Sequence, residues 1–562
     1  MKRKNLYKIQ AAAVLVTALC CASCSDTWDD HYSENSASAV NETLWQAINE
    51  NSELSNFAKV AKACGYNLTL NGSQTFSVFA PTNGSFTEEQ ADALIASYNE
   101  QKAAGVKSSE NTVIKQFLQN HIAPFKKSVS SETADSLTMM NGKRQKLSAA
   151  AVGDEEFQTK NVLYNNGILY TIEGKLNYEP NIFEYLRQDA ELDSVYQFFN
   201  DYGVYKFSPS QSVAGSIVDG KTQYLDSVMV YNNRIMNQLG QINSEDSTYW
   251  MLAPNNAEWK RMVETYSPYF NYDATVENRD SLQRVNTRLA ILGATLFSRS
   301  NNPDAAFQDS ALSTSAYPER YYTMYPEEKR YNRFYHPFAA GGIFDGAADV
   351  ALSNGHIMKT ANFRISPYDT FVKELKIETE YTNYVDTLTG AIDPYVVRRI
   401  PASSAFYNQV SSNSFAEIAP SNLSEQPSVT FAIPGVLSNV PYDVYAVFVP
   451  AIAYDELATD EQRLPVKIRT QVGYQNNGAT KWERNSAFTV KADVIDTIKI
   501  KGNYKFKTTA YGLDKAQAKV KIYTDVPSSM TAKYQRTMRI DCIIIKPHNA
   551  PASEAKRIKI SY

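Results

Sequence analysis

The side chains that could do chemistry are few in this 562-residue sequence, and none is spaced for catalysis. There are five histidines, His31, His121, His336, His356 and His548. No Gly-x-Ser-x-Gly elbow, phosphate loop, HExxH helix or Rossmann fingerprint accompanies them. Carboxylate pairs for glycoside hydrolysis can be distant in sequence, and nothing singles out one pair. Asp345 and Asp349 offer too few oxygens for calcium, which takes about six to eight. Outside the N-terminal run the cysteines are Cys24, Cys64 and Cys542, with neither a disulfide framework nor zinc spacing. The sequence therefore reads as a non-enzyme with no metal and no cofactor.

What remains is the chemistry of binding. The sequence holds 37 tyrosines. Tyr317, Tyr321, Tyr322, Tyr325, Tyr331, Phe334 and Tyr335 interleave with Arg320, Arg330, Arg333 and His336. Tyr and Arg bury large area while keeping a polar end, the chemistry of interface hot spots, and aromatic faces also stack on sugar rings. Tyr321, Tyr322, Tyr325, Arg330, Tyr331, Arg333 and Tyr335 are accordingly candidate contacts to protein or glycan; the alternative is a loop whose rings pack back onto its own domain. Trp482, between Lys481 and Glu483-Arg484, is either a sugar platform or a partly buried anchor.

The elements that must position these residues come next. Hydrophobic residues make up 43% and charged residues 21%, the balance of a globular protein, and the length suits about three or four domains. Removing Lys2, Arg3, Lys4 and Lys8 with the first 23 residues leaves 52 basic against 60 acidic side chains, a net charge of −8. That balance argues against a nucleic-acid partner. Those four cations precede the apolar run Ala11–Leu19, too short for a transmembrane helix and suited to a signal peptide over 1–23. Cys21-Ala22-Ser23-Cys24 resembles the bacterial lipobox, implying cleavage before Cys24 and lipidation of its thiol. The acidic stretch Ser25-Asp26-Thr27-Trp28-Asp29-Asp30, in a linker spanning 24–39, resembles the surface-export signal of Bacteroidota lipoproteins. The expected location is the outer membrane, lipid-anchored and facing the cell exterior.

An internal repeat organises residues 40–365. Phe76-Ser77-Val78-Phe79-Ala80-Pro81-Thr82-Asn83 reads as a strand feeding a helix, and Tyr249-Trp250-Met251-Leu252-Ala253-Pro254-Asn255-Asn256 repeats it. Upstream, Leu44, Trp45, Ile48, Glu53 and Leu54 match Ile182, Phe183, Leu186, Glu191 and Leu192. Downstream, Asn166-Gly167-Ile168-Leu169-Tyr170 matches Asn354-Gly355-His356-Ile357-Met358. This pattern, with Ile172-Glu173-Gly174 and the run Phe117-Leu118-Gln119-Asn120-His121, resembles the fasciclin (FAS1) domain. Asn120 stands where that family usually has Tyr, and the second copy has Thr295 where the first has His121. The resemblance implies two compact α/β domains used in adhesion, the first over 40–178 and a degenerate second, with insertions, over 179–365. It leaves His121 as either a structural histidine or a binding contact.

Beyond residue 365 the helical periodicity stops. Strand candidates run at Ser428–Ile433, Tyr442–Val449, Val466–Val472, Ile495–Ile500, Tyr504–Lys507, Val520–Tyr523 and Met538–Ile545, several alternating apolar with polar residues. They predict an antiparallel β-sandwich over 366–562, its last strand similar to that of jelly-roll carbohydrate-binding modules. The expected class is α+β. The expected function is binding or adhesion at the outer-membrane surface, as an accessory to a starch-utilisation-type TonB-dependent porter complex or through contact with polysaccharide. The alternative is an adhesin for host matrix or neighbouring cells.

Overall fold

The computed structural model describes residues 41–559, apart from 210–212, 219–220, 227–228, 299–308, 315–329, 514–516 and 552–555. Cys24 lies outside the described residues. Among the described residues no helix is long and apolar enough to cross a membrane. The chain forms two compact units, Met1–Glu179 and Pro180–Tyr562.

In the first unit the strand Phe76–Pro81 is buried along its whole length. It pairs antiparallel with Ile122–Pro124 and parallel, over six residue pairs, with Gly167–Ile172. Burial on both faces explains why it reads as a continuous apolar run rather than an alternating one. Phe76, Val78 and Ala80 pack into a core with Leu44, Ile48, Phe57 and Phe117, whereas Phe79 joins Ile168, Tyr170 and Ile172 in a second core. The helix Leu44–Glu50 starts at a capping box: the Gln46 N–H donates to Thr43 Oγ1 at 3.3 Å and the Thr43 N–H to Gln46 Oε1 at 2.9 Å.

The second unit opens with the same construction. Tyr249–Pro254 pairs antiparallel with Leu296–Ser298 and parallel with Gly355–Thr360, again over six residue pairs. Ile182, Leu186 and Leu192 are as fully buried as Leu44, Ile48 and Leu54, which they match in sequence. The insertion after Tyr202 is a β-ribbon, with Gly203–Phe207 antiparallel to Met229–Asn233.

The C-terminal part is an antiparallel sandwich, as the alternating pattern predicts. One sheet has five strands in the order Val385–Thr389, Ser428–Ile433, Ala518–Thr524, Val466–Asn476, Ala479–Val490. The other runs Val396–Arg399, Ser414–Ile418, Met538–Pro547, Pro441–Phe448, Asp496–Lys505, with Leu375–Glu378 also on Met538–Pro547. The two expected strands Ile495–Ile500 and Tyr504–Lys507 are one strand, bulged opposite Tyr442 and Val444. The alternation breaks at that bulge, which is why the sequence suggests a turn there. Ala479–Val490 escapes the pattern because it is an edge strand rich in polar residues.

The core of the second repeat runs on into the sandwich. Polar groups stitch the same seam. Tyr272 Oη donates to the Tyr511 carbonyl at 2.9 Å. The Asp273 carboxylate accepts the N–H groups of Asn477 at 2.6 Å and Gly478 at 3.0 Å, fixing the turn that leads into the edge strand.

Candidate functional site

His121 is not a surface contact. It is fully buried, its ring 4.7 Å from that of Phe117. Its Nδ1 lies 2.8 Å from the Phe117 carbonyl, so Nδ1 carries the proton, and Nε2 accepts the Leu176 N–H at 2.9 Å. Both nitrogens are spent inside the protein, and burial holds the imidazole down at about 4, neutral at physiological pH. No ring atom remains for a ligand. In the second repeat Thr295 takes the same position: its carbonyl accepts the Leu252 N–H, as the His121 carbonyl accepts that of Phe79.

The tyrosine-rich segment is only partly accounted for. Tyr321, Tyr322 and Tyr325 lie outside the described residues. Arg330 and Tyr331 belong to the strand Arg330–Tyr335, which pairs with Ser310–Leu312 and Lys556–Lys559. On that strand Arg333 is half-buried and Tyr335 exposed, while Phe334 turns into the core. The described part is thus a strand with one ring inward, not a free loop. The first insertion carries more open apolar surface, with Val204, Tyr205, Phe207 and Val230 all exposed on the ribbon.

An open cleft of about 750 Å³ runs along the seam of the second repeat and the sandwich. Part of its polar lining is engaged in holding the seam: Gln283 Nε2 donates to the Ser267 carbonyl, Asn271 Nδ2 to that of Lys507 and Ser438 Oγ to that of Pro268.

Trp482 differs. It lies on the edge strand opposite Gly473, and a Cβ added to that glycine would come within 2.8 Å of the indole. The ring therefore rests on bare backbone, and Trp482 keeps 37% exposure. Register decides which side it faces. Val472 and Tyr474 flank Gly473 and are buried between the sheets, so Gly473 and Trp482 face outward. The pairings carry that row on to Lys519, and the next rows hold Gln471 and Lys521, then Arg469 and Tyr523. Thr387, Thr389 and Ser428 add hydroxyls further across. Two cations have partners, Lys519 with Asp386 at 2.8 Å and Arg469 with Asp525 at 2.7 Å. The result is an indole platform beside a field of amide, hydroxyl and cationic groups, which suits a flat polar ligand with one apolar face.

Of the residues singled out by sequence, only Trp482 belongs to this face. Gln471, Lys519, Lys521 and Tyr523 were missed. Their signal was the alternation with Val472, Val520 and Ile522, which marks an outward face without saying that it meets Trp482.

Comparison with known proteins places the first repeat. The fasciclin domain family model matches residues 52–177. Those residues are a fasciclin (FAS1) domain. Among solved structures, the FAS1 domain pair of the insect cell adhesion molecule Fasciclin I is 14% identical, covering 57% of this chain and 99% of its own, with a TM-score of 0.19. The C-terminal family 22 carbohydrate-binding module of Clostridium thermocellum Xyn10B is 11% identical over 32% of this chain and 97% of its own, with a TM-score of 0.21. A Paenibacillus xanthan lyase is 11% identical over 44% of this chain and 25% of its own, also with a TM-score of 0.21. No curated protein matches. Downstream of the FAS1 domain stand the second repeat and the antiparallel sandwich that carries Trp482.

Proposed function

We propose that this protein is a non-catalytic, lipid-anchored binding protein of the outer-membrane surface that holds polysaccharide on the Trp482 face of its sandwich. The observation that carries the reading is the indole lying on Gly473 beside outward hydroxyl and amide groups. A pyranose ring stacked there would place its hydroxyls against Gln471, Lys519 and Lys521. The FAS1 domain spaces rather than binds: the histidine that could have been a contact is consumed in the fold. Cys24 and the acidic stretch after it supply the anchor and the export signal. Within this reading the partner is a starch-utilisation-type TonB-dependent porter complex, for which this protein collects glycan.

Two measurements test it. Affinity electrophoresis of the full chain against a panel of polysaccharides should show retardation by at least one, abolished in Trp482→Ala. Pull-down from mildly solubilised outer membranes should return a stoichiometric porter. A protein that binds no glycan and comes out alone would instead support the second reading, a cell-surface adhesin, which the fasciclin match over residues 52–177 favours.

A further inference from the structure

The sandwich carries a second feature, on the outer face of its other sheet. Leu375–Glu378 and Ser414–Ile418 both pair with the same edge of Met538–Pro547, one after the other: Glu378 lies opposite Cys542, and Ala416 opposite Ile540. The ladder changes partner at Asp541 and Cys542. There Glu378, Asp541 and Cys542 bring one ligand atom each within 4.8 Å of one another, the one such grouping among the described residues. Asp541 is 3% exposed and Cys542 1% exposed, and the partly open Glu378 side chain gives access from solvent.

The hydrogen bonding is lopsided. Glu378 Oε1 accepts from Ser411 Oγ at 2.6 Å and lies 3.4 Å from the Lys376 ammonium. Asp541 Oδ2 accepts the Ser411 N–H at 3.3 Å and the Cys542 thiol at 3.5 Å. Lys376 Nζ also donates to Ser411 Oγ. Each carboxylate is thus held by one oxygen, while the other, Glu378 Oε2 and Asp541 Oδ1, is buried with no donor. A buried carboxylate oxygen without a partner costs free energy, so native proteins seldom keep two side by side. Outer groups that fix one oxygen and leave the second free are how metal ligands are oriented. Burial, the larger cause, and the nearby Glu378 push the Asp541 carboxyl up to about 7, and burial also pushes the Cys542 thiol up.

We propose that Glu378, Asp541 and Cys542 form a binding site for a divalent cation of the thiol-accepting class, with zinc as its type. Ionised, the three ligands carry three negative charges; Lys376 offsets one, and a dication balances the remaining two. One sulfur and two carboxylate oxygens make three protein ligands, leaving a fourth position for water in a tetrahedral site. Calcium fits less well, since it would need more oxygens and has no use for the thiol. Binding releases the Cys542 and Asp541 protons to solvent and joins the strands of residues 375–378 and 538–547.

Cobalt(II) tests this on the full chain after treatment with a chelator, because a thiolate ligand gives cobalt an intense sulfur-to-metal charge-transfer band in the near ultraviolet. One equivalent should produce the band, and zinc should abolish it. Cys542→Ser should lack the band, Cys64→Ser should keep it, and Glu378→Gln should weaken the apparent affinity at least tenfold. No band, a band that survives Cys542→Ser, or displacement of cobalt by calcium as readily as by zinc would overturn the proposal. Should Cys542→Ser fail to fold, the wild-type titration and Glu378→Gln still decide it.

Discussion

Asn166 and Asn354 make the same set of hydrogen bonds at the same place in two repeats. The Leu44 N–H donates to Asn166 Oδ1 at 2.8 Å, and Asn166 Nδ2 donates to the carbonyls of Leu70 at 2.8 Å and Gly72 at 2.7 Å. The Ile182 N–H donates to Asn354 Oδ1 at 2.9 Å, and Asn354 Nδ2 to those of Ile242 at 2.8 Å and Ser244 at 3.0 Å. Each asparagine ties the first helix of its repeat to the end of the parallel strand, and the following glycine lets the neighbouring backbone pass. A Cβ on Gly355, at φ +133°, would lie 1.7 Å from the Tyr249 carbonyl oxygen.

Replacing either asparagine with alanine removes three hydrogen bonds, two of them buried, and strands their partners. Each substitution should cost about 2–4 kcal/mol. Hydrogen exchange followed by mass spectrometry on the full chain locates the damage: residues 41–179 for Asn166→Ala, residues from 180 onward for Asn354→Ala. A neutral Asn354→Ala would mean that the second copy no longer depends on the motif.

His121 gives the first unit a built-in acid sensitivity. The unfolded chain takes up its proton near the ordinary value of 6.5, the folded one only near about 4. Between those values the unfolded state binds more protons, so this contribution to stability is complete above pH 6.5 and falls as the solution is acidified. The full window is worth about 3 kcal/mol at about 1.4 kcal/mol per unit. Calorimetric melts of the wild type and His121→Gln between pH 7.5 and roughly 4.5 should converge on acidification. Parallel curves would show that His121 is not the group responsible.

Trp482→Ala should weaken polysaccharide binding about thirtyfold, or roughly 2 kcal/mol, the scale of an aromatic hot spot. Trp482→Phe should retain most of the affinity, and neither should lower the melting temperature by more than a few degrees, because the ring lies on the outer face of the sheet and keeps 37% exposure. Isothermal titration with the glycan selected by electrophoresis reads both. Equal loss in the Phe variant would point to the indole N–H rather than to stacking.

Glu417 anchors a buried ionic cluster in the sandwich. Its carboxylate accepts from Arg539 Nε at 2.8 Å, Arg398 Nη2 at 2.8 Å and Tyr454 Oη at 2.9 Å. Desolvation alone would raise its carboxyl, yet Arg539 and Arg398 outweigh it and hold the group below the usual range. Glu417→Gln leaves Arg539, 5% exposed, without its counter-charge and should cost about 3–5 kcal/mol. The pair Glu417→Leu with Arg539→Met should be less damaging than Glu417→Leu alone. Denaturant unfolding of the three proteins separates the penalty for a bare buried charge from the value of the pair.

By itself the sequence determined what depends on neighbours along the chain. The continuous apolar run of Phe76–Pro81, the repeated Asn-Gly turns and the alternating strands of the last third are local patterns, and they established the repeat and the sandwich. Tertiary structure alone decided which side chains meet. Whether His121 was buried rested on Phe117 and Leu176 closing over it. Trp482 became a platform because strand register set it on Gly473 and beside Lys519, 37 residues further on. Glu378 and Asp541 converge from 163 residues apart because two strands share one edge of a third. Periodicity fixes the face on which a residue lies; only pairing and register fix its neighbours on that face, and binding chemistry resides in those neighbours.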